Sequence, residues 1–510
     1  MTGQQTALTL RAWQGGPVLV GEAESIPHFG SQAVAAFGAA GLGGETEMAS
    51  AAEPDTVPGQ LSVDGSRTTY EIPTDSVLPL IGHVTHHQVD GSHLWIGVEN
   101  GTLIVAENDL AHDLMTAFVA GSSPADAASQ LRATYGLERT SAIETTARFV
   151  ARLVAAGFVR GIRGYHSVKQ IRPHAFARFH LTQRCQLSCK HCYTSSGPLL
   201  PADDELPPER WIQLVDEFAA NGGEKILFTG GEALVYHGCI DIMRRAHDAG
   251  LEVTLFSNGM LIPRYLDDLT EVADVVQISV DGPNAETHDA IRGRHSFRRA
   301  IRAIRLLLDA GMDTRVSTTI MLNNWEAIKA GLPEFIAQFQ DTDLSFRISY
   351  GAMSHGRGTD LDHSLDTEQV RRFVDGLLSR VKTTENRDAG PNTVQKISNC
   401  GYAEQLVIAP DGLVYPCHLL SGALGHVDQL PVSEITKYLA RTAEAFSVNS
   451  RLGCSTCDLR NLCGGSCRVE DEKHTGSRLI TTCTPEEKLR KKRFLVRRYS
   501  PAADRALQPS

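Results

Sequence analysis

Cys185-Gln186-Leu187-Ser188-Cys189-Lys190-His191-Cys192-Tyr193 is the stretch on which the reading of this 510-residue chain turns. Its three cysteines follow a short alternating segment, 176–181, that reads as a strand. Three thiolates on one loop can hold three irons of a cubane cluster and leave the fourth without a protein ligand. An open metal position is what a metal-dependent catalyst needs. The same spacing also permits a structural zinc site or a reactive-thiol loop. The sequence on either side decides between them.

Downstream, strand-like segments at 225–228, 252–256, 275–280, 314–321 and 344–350 alternate with helical ones such as 208–220 and 297–310. Strict β–α alternation predicts a parallel sheet, here an α/β partial (β/α)6 TIM-like barrel over 175–360. Active sites of such barrels lie at the carboxyl ends of the strands. Each strand here is followed by a short polar motif: the cysteine triplet, then Thr229-Gly230-Gly231-Glu232, Ser257-Asn258-Gly259 and Ser279-Val280-Asp281-Gly282. The fifth strand ends near Asn323, and Gly356-Arg357-Gly358 follows the sixth.

These motifs resemble those of the radical S-adenosylmethionine superfamily. Its signature is the same C-x3-C-x2-C spacing with an aromatic-type residue before the last cysteine, a place His191 fills. The resemblance implies that Cys185, Cys189 and Cys192 ligate a catalytic [4Fe-4S] cluster. It implies that S-adenosylmethionine is bound by His191, Gly230, Gly231, Glu232 and Ser279. Ala233 departs from the proline that the family carries after Gly-Gly-Glu. The implied chemistry is one-electron cleavage of the sulfonium and hydrogen-atom abstraction by the 5′-deoxyadenosyl radical.

Seven further cysteines lie in a loop-rich region, 396–490: Cys400, Cys417, Cys454, Cys457, Cys463, Cys467 and Cys483. A zinc ribbon is the ordinary alternative for such spacing. The full pattern, with Cys463-Gly464-Gly465-Ser466-Cys467-Arg468, resembles the SPASM extension of peptide and sulfatase maturases. That resemblance implies two auxiliary [4Fe-4S] clusters, one on Cys400, Cys417 and Cys467, the other on Cys454, Cys457, Cys463 and Cys483. The first then has no evident fourth cysteine. Cys239 remains over and is expected to pack as a small hydrophobe.

Upstream, 1–74 is poor in periodicity, with an Ala/Gly-rich run at 34–50, and is expected to be a flexible or loosely ordered extension. Residues 75–162 predict a hairpin with an Asn100-Gly101 turn and three helices at 110–119, 124–135 and 141–156, the second capped by Ser123. A small sheet with three helices suggests a winged-helix domain. The stretch 143–159 resembles the PqqD-type leader-recognition domain, which implies binding of a precursor peptide through its leader. The exposed hairpin edge is expected to accept that peptide as an added strand. His83, His86, His87 and His93 form a histidine-rich patch, expected to be a solvated loop. Residues 361–395 are expected to be a helical connector and 491–510 a basic tail whose helix, 486–498, is solvated.

The formal charge of −11 argues against a partner bound through phosphate neutralisation, so no nucleic acid is expected. No apolar run approaches the ~18 residues of a membrane span, and no signal peptide is visible. A cytoplasmic protein is expected, its clustered thiols reduced and available to metal. The combination implies a radical enzyme that oxidatively modifies, and crosslinks, a ribosomally made precursor peptide, supplied with electrons by a flavodoxin or ferredoxin. The alternatives are a sulfatase-maturase-type oxidation of a Cys or Ser in a protein, and a zinc-bound adaptor without catalysis.

Overall fold

The computed structural model describes residues 60–65, 68–106, 108–160, 175–351, 353–378 and 396–500. The expectations for 1–59, for 379–395 of the connector and for 501–510 of the tail lie outside these residues. Residues 60–73, expected within the loose extension, form an antiparallel ribbon of β1 (Gln60–Gly65) and β2 (Thr68–Pro73).

The amino-terminal domain has a three-stranded antiparallel sheet of β3 (Val84–Val89), β4 (Ser92–Gly97) and β5 (Thr102–Ala106). The Asn-Gly hairpin is β4–β5, and Gly101 takes the positive φ that its turn requires. β3 lies on the other side of β4, so the hairpin is not two free edges. Helices α1 (Asp109–Val119), α2 (Pro124–Tyr135) and α3 (Arg139–Ala155) follow, with the Asn108 and Ser123 side chains capping the first two. The buried stripe of α3 runs through Ala142, Thr146, Phe149, Val150 and Leu153, while Ile143 is exposed. Phe149 of this stripe stacks on Phe118 of α1 at 6.3 Å between centroids.

The barrel strands are β6 (Phe176–His180), β7 (Lys225–Thr229), β8 (Glu252–Ser257), β9 (Val275–Ser279), β10 (Asp313–Ile320) and β11 (Ser345–Tyr350). They pair in parallel and in sequence order. Ala177, Phe179, Ile226, Phe228, Val253, Leu255, Val276, Ile278 and Val316 face the surrounding helices and form the main core with Trp211. The alternate residues therefore face the barrel interior. Cys239 is buried in this core, as expected.

One feature of the sheet has no counterpart in the alternation pattern. β12 (Leu406–Ile408), from the cysteine-rich region, pairs in parallel with β6, and β13 (Leu413–Tyr415) and β14 (Gly425–His426) continue antiparallel beyond it. The cysteine-rich region thus extends the barrel's own sheet to nine strands.

The carboxy-terminal helix, Pro485–Tyr499, corrects the expectation of a solvated helix. Its Leu495 and Val496 are buried with Val89, Leu94, Ile96, Leu103 and Val105 of the amino-terminal sheet and Leu459 and Leu462 of the cysteine-rich region. Asn461 donates to the Val98 and Glu99 carbonyls at the hairpin tip, at 2.7 and 2.9 Å. Among the described residues, no helix is long and apolar enough to cross a membrane.

Candidate active site

The cysteine triplet lies at the carboxyl end of β6. Cys185 and Cys189 are buried and Cys192 half-buried, beside Leu187 and Met260. The loop is braced from three sides. Gly231 N–H donates to the Thr182 carbonyl at 2.7 Å, and Glu232 N–H to the Arg184 carbonyl at 3.0 Å. Arg357 Nε donates to the Cys189 carbonyl at 2.9 Å and its Nη2 to the Ser196 carbonyl at 2.7 Å. Asn258 Nδ2 lies 3.6 Å from Cys185 Sγ and donates to Gln186 Oε1 at 3.1 Å.

Burial pushes the Cys185 thiol up to about 11, against the pull of the Leu187 N–H and the Asn258 amide. A metal removes that proton outright. Buried thiols with N–H donors aimed at one of them fit an iron–sulfur cluster, and Cys185, Cys189 and Cys192 are the residues that would hold it.

Glu232 turns inward. Its carboxylate accepts from Ser257 Oγ at 3.0 Å and Asn258 N–H at 2.8 Å, tying the ends of β7 and β8 together. Burial raises its pKa to about 7, although these same hydrogen bonds favour the anion. Gly230 and Gly231 are glycines for a steric reason. A Cβ would stand 2.3 Å from the Thr182 carbonyl at the first and 2.4 Å from the Arg184 carbonyl at the second. Gly231→Ala is expected to cost about 1–3 kcal/mol by overpacking and to displace the cysteine loop. Thermal unfolding and the electron paramagnetic resonance line shape of the cluster on that loop check this.

His191 stands 3.2 Å from Asp281 Oδ2, and Arg292 Nε is 2.5 Å from the same oxygen. Asp281 Oδ1 accepts from Thr319 N–H at 2.9 Å. Burial alone would raise the Asp281 pKa, but Arg292 and His191 hold it below the usual range. Burial lowers His191, despite the pull of Asp281. Arg292 Nη1 lies 4.0 Å from Cys189 Sγ. Ser279 ends β9 half-buried. Asn324 fixes the loop behind, donating to the Asp281 and Thr319 carbonyls at 2.9 Å.

Arg178 and His180 were not singled out as site residues. Both face the barrel interior, since Ala177 and Phe179 on the same strand face the core. Arg178 lies beside Tyr193, next to Cys192, and stands 5.9 Å from the Phe256 ring. His418, next to Cys417, packs edge-on against Tyr193 at 5.7 Å. His180 is 1% exposed, yet neither ring nitrogen has a partner among the described residues, and Arg178 Nε has none either. Buried donors left unmet are costly unless a ligand or water meets them. Phe-Ala-Arg-Phe-His places polar residues at alternate positions of a strand otherwise committed to the core, and that was the available signal.

In the carboxy-terminal region, Cys454, Cys457, Cys463 and Cys483 line one cavity of about 350 Å³. Lys488, Arg490 and Lys491 of the carboxy-terminal helix line it too. Four thiols ringed by cations suit an anionic cluster. Burial raises the pKa of Cys417 and of Cys467, and the nearby Cys400 adds to both. The loops are held by Arg451 and Asp471, both fully buried and paired through Arg451 Nη2 and Asp471 Oδ2. Asp471 also accepts from Ser466 Oγ at 2.6 Å, Thr482 N–H at 2.9 Å and Thr482 Oγ1 at 2.6 Å. Arg451 Nη1 reaches Cys454 Sγ at 3.8 Å.

Comparison with known proteins places this geometry in context. Residues 179–329 match the Radical SAM superfamily, so the chain carries a radical S-adenosylmethionine domain. It is 30% identical over 268 residues to the sporulation killing factor maturation protein SkfB of Bacillus subtilis, covering 50% of this chain and 63% of that one. It is 31% identical over 254 residues to the antilisterial bacteriocin subtilosin biosynthesis protein AlbA of the same organism, covering 48% and 54%. The chain thus spans less than two thirds of the length of either. Mycofactocin maturase MftC of Mycolicibacterium smegmatis is 28% identical over 311 residues, covering 56% and 76%. Among solved structures, native anSMEcpe with bound AdoMet superposes with a TM-score of 0.50 at 18% identity, covering 65% of this chain and all of that one; it shows the fold.

Proposed function

We propose that this chain, carrying a radical S-adenosylmethionine domain, oxidatively modifies, and crosslinks, a ribosomally made precursor peptide. The observation that carries the reading is the convergence of Cys185, Cys189 and Cys192 at the mouth of a parallel partial barrel. Maturation and biosynthesis proteins of peptide products among its relatives support the substrate class. When bound, the cluster and S-adenosylmethionine supply hydrogen-atom abstraction.

The chain's own residues then have defined tasks. Gly230, Gly231, Glu232, Ser279 and His191 border the cosubstrate. Arg292 and Asp281 keep the loop beside Cys189 electrostatically fixed. Arg178, His180, Tyr193 and His418 offer polar atoms inside the barrel for orienting the substrate. Cys454, Cys457, Cys463 and Cys483 would hold one auxiliary cluster of a SPASM-type module, and Cys400, Cys417 and Cys467 another, as acceptors for the surplus electron. A flavodoxin or ferredoxin supplies the initiating one.

The amino-terminal domain, which we read as a PqqD-like winged helix, would take the leader along a strand edge. Among the described residues no strand pairs with the outer edge of β3 or β5. Arg152 Nη2 already occupies the Val105 carbonyl of β5, at 2.6 Å, so β3 is the edge available. Val98 N–H bonds the His83 carbonyl, so by alternation the backbone of residues 84, 86 and 88 faces outward. Gln88→Pro removes one outward donor and no bond to β4.

The decisive experiment is anaerobic incubation with reductant, S-adenosylmethionine and the short peptide encoded beside the gene, read by mass spectrometry. Loss of the mass of two hydrogen atoms per event is expected; no peptide change, with 5′-deoxyadenosine still formed, would overturn the substrate assignment. Gln88→Pro is expected to raise the peptide KM about tenfold, roughly 1.4 kcal/mol, with peptide-free S-adenosylmethionine cleavage unchanged.

A further inference from the structure

The histidine-rich patch is divided by the fold. His87 turns to the carboxy-terminal region, where it pairs with Asp458 and lies 3.0 Å from Lys492 Nζ. His86 and His93 turn the other way and meet a histidine far along the chain, His112 on α1. His86 Nε2 is 3.0 Å from His93 Nδ1. The His93 and His112 rings stack at 3.8 Å between centroids, and those of His86 and His112 lie at 4.8 Å. Trp95 forms the floor, 4.4 Å from His86 and 5.5 Å from His112. One ring nitrogen from each histidine lies within 4.8 Å of the others. His112 Nδ1 is buried without a hydrogen-bond partner among the described residues.

We propose that His86, His93 and His112 form a binding site for a divalent transition-metal ion, Zn²⁺ in the first instance, with Asp109 or water completing the coordination. Three imidazoles suit zinc and its neighbours better than magnesium or calcium. Asp109, one helical turn before His112, lies 4.0 Å from His93 Nε2, the ring nitrogen away from His86, and its exposed carboxylate would swing to reach the ion.

Two of the donors are biased toward the neutral form. Burial, with His112 and His93 adding repulsion, lowers His86 to about 4, and burial with His112 lowers His93. Zinc–nitrogen bonds of ~2.0–2.1 Å put tetrahedral ligand atoms about 3.3 Å apart. The His86–His93 pair is already near that separation. The widest pair must close by about 1.5 Å, which unstacks His93 from His112 as the rings turn their nitrogens inward. His86 is exposed and Asp109 more so, so these two can move freely.

Such an ion would fasten β3 to both β4 and α1. It would stiffen the one outer edge left available in this sheet, on the face opposite the one that packs against Cys457 and Cys463. The proposal does not depend on the catalytic reading.

The test is titration of ZnCl₂ into the full-length protein with its clusters reconstituted, followed calorimetrically while the cluster absorbance is monitored. One equivalent binding at micromolar or tighter affinity, with unchanged cluster absorbance, is expected. His112→Ala and His86→Ala should each weaken it at least about tenfold, whereas His83→Ala should not. Co²⁺ at the site should give weak ligand-field bands without thiolate charge transfer. The absence of this equivalent, equal affinity in all three variants, or thiolate bands from Co²⁺ would each overturn the proposal. A zinc-free melting midpoint matching wild type shows that the variants fold.

Discussion

The combined Cys185→Ala, Cys189→Ala and Cys192→Ala variant is expected to form no detectable 5′-deoxyadenosine while keeping about two thirds of its iron, roughly eight of about twelve atoms for three four-iron clusters. The reasoning is local. The loop between β6 and residue 197 is held by backbone bonds from Gly231 and Glu232 and by Arg357, none of which involves a cysteine side chain. Removing three thiols therefore leaves those bonds in place and loses, besides the ligands, the contacts of Leu187 N–H and Asn258 Nδ2 with Cys185 Sγ. The loops of the second set of cysteines are braced by the buried Arg451–Asp471 pair, which the triplet does not touch, so their metal content should persist. Iron and acid-labile sulfide analysis, with chromatography of the nucleoside, decides the matter. Retention of 5′-deoxyadenosine formation would remove the catalytic assignment of the triplet. Loss of all iron would show that the carboxy-terminal cysteines hold none by themselves.

Asp471→Ala is expected to be the most damaging single substitution outside the barrel. Asp471 and Arg451 are both fully buried and paired. Taking one partner away strands a charge in the interior, which costs about 3–5 kcal/mol. Here the loss is compounded, because the carboxylate also gathers Ser466 and Thr482. Ser466 directly precedes Cys467, and Thr482 directly precedes Cys483. Both cysteine arms should loosen together. The expected result is a drop of about four irons per chain or more, with the catalytic cluster still detectable by its response to S-adenosylmethionine. Asp471→Asn keeps the shape and one acceptor oxygen and should lose less. Full iron content in Asp471→Ala would contradict the role assigned to this pair.

The barrel was legible because each strand keeps one face for the helices and the other for the interior. The alternation within Asp313–Ile320 carries that inference. The cysteine triplet and Gly-Gly-Glu were legible because sharp spacing and glycine steric needs are written locally. Arg292 was not, since it stands at the end of a helix, Ala285–Arg292, as basic residues commonly do. Only the fold shows it aimed at Asp281. Arg178 and His180 were overlooked because a five-residue strand gives too little alternation to separate interior polar residues from a misjudged period. β12 was hidden by its brevity, three residues with a pattern no turn would forbid. The carboxy-terminal helix was misread because charge dominates its composition, while only Leu495 and Val496 mark the face it buries. His112 lay too far along the chain to be counted with the other histidines.

The pairing of β12 with β6 has a consequence for what can be separated from what. β6 leads directly into the cysteine loop, and its outer side is covered by residues more than 200 positions later in the chain. A shortened chain ending before residue 400 would expose a bare row of amides and carbonyls on the very strand that delivers Cys185. Such rows recruit neighbours and precipitate. The barrel and its carboxy-terminal extension are therefore one cooperative body, and domain-by-domain dissection should not be expected to yield a soluble catalytic half.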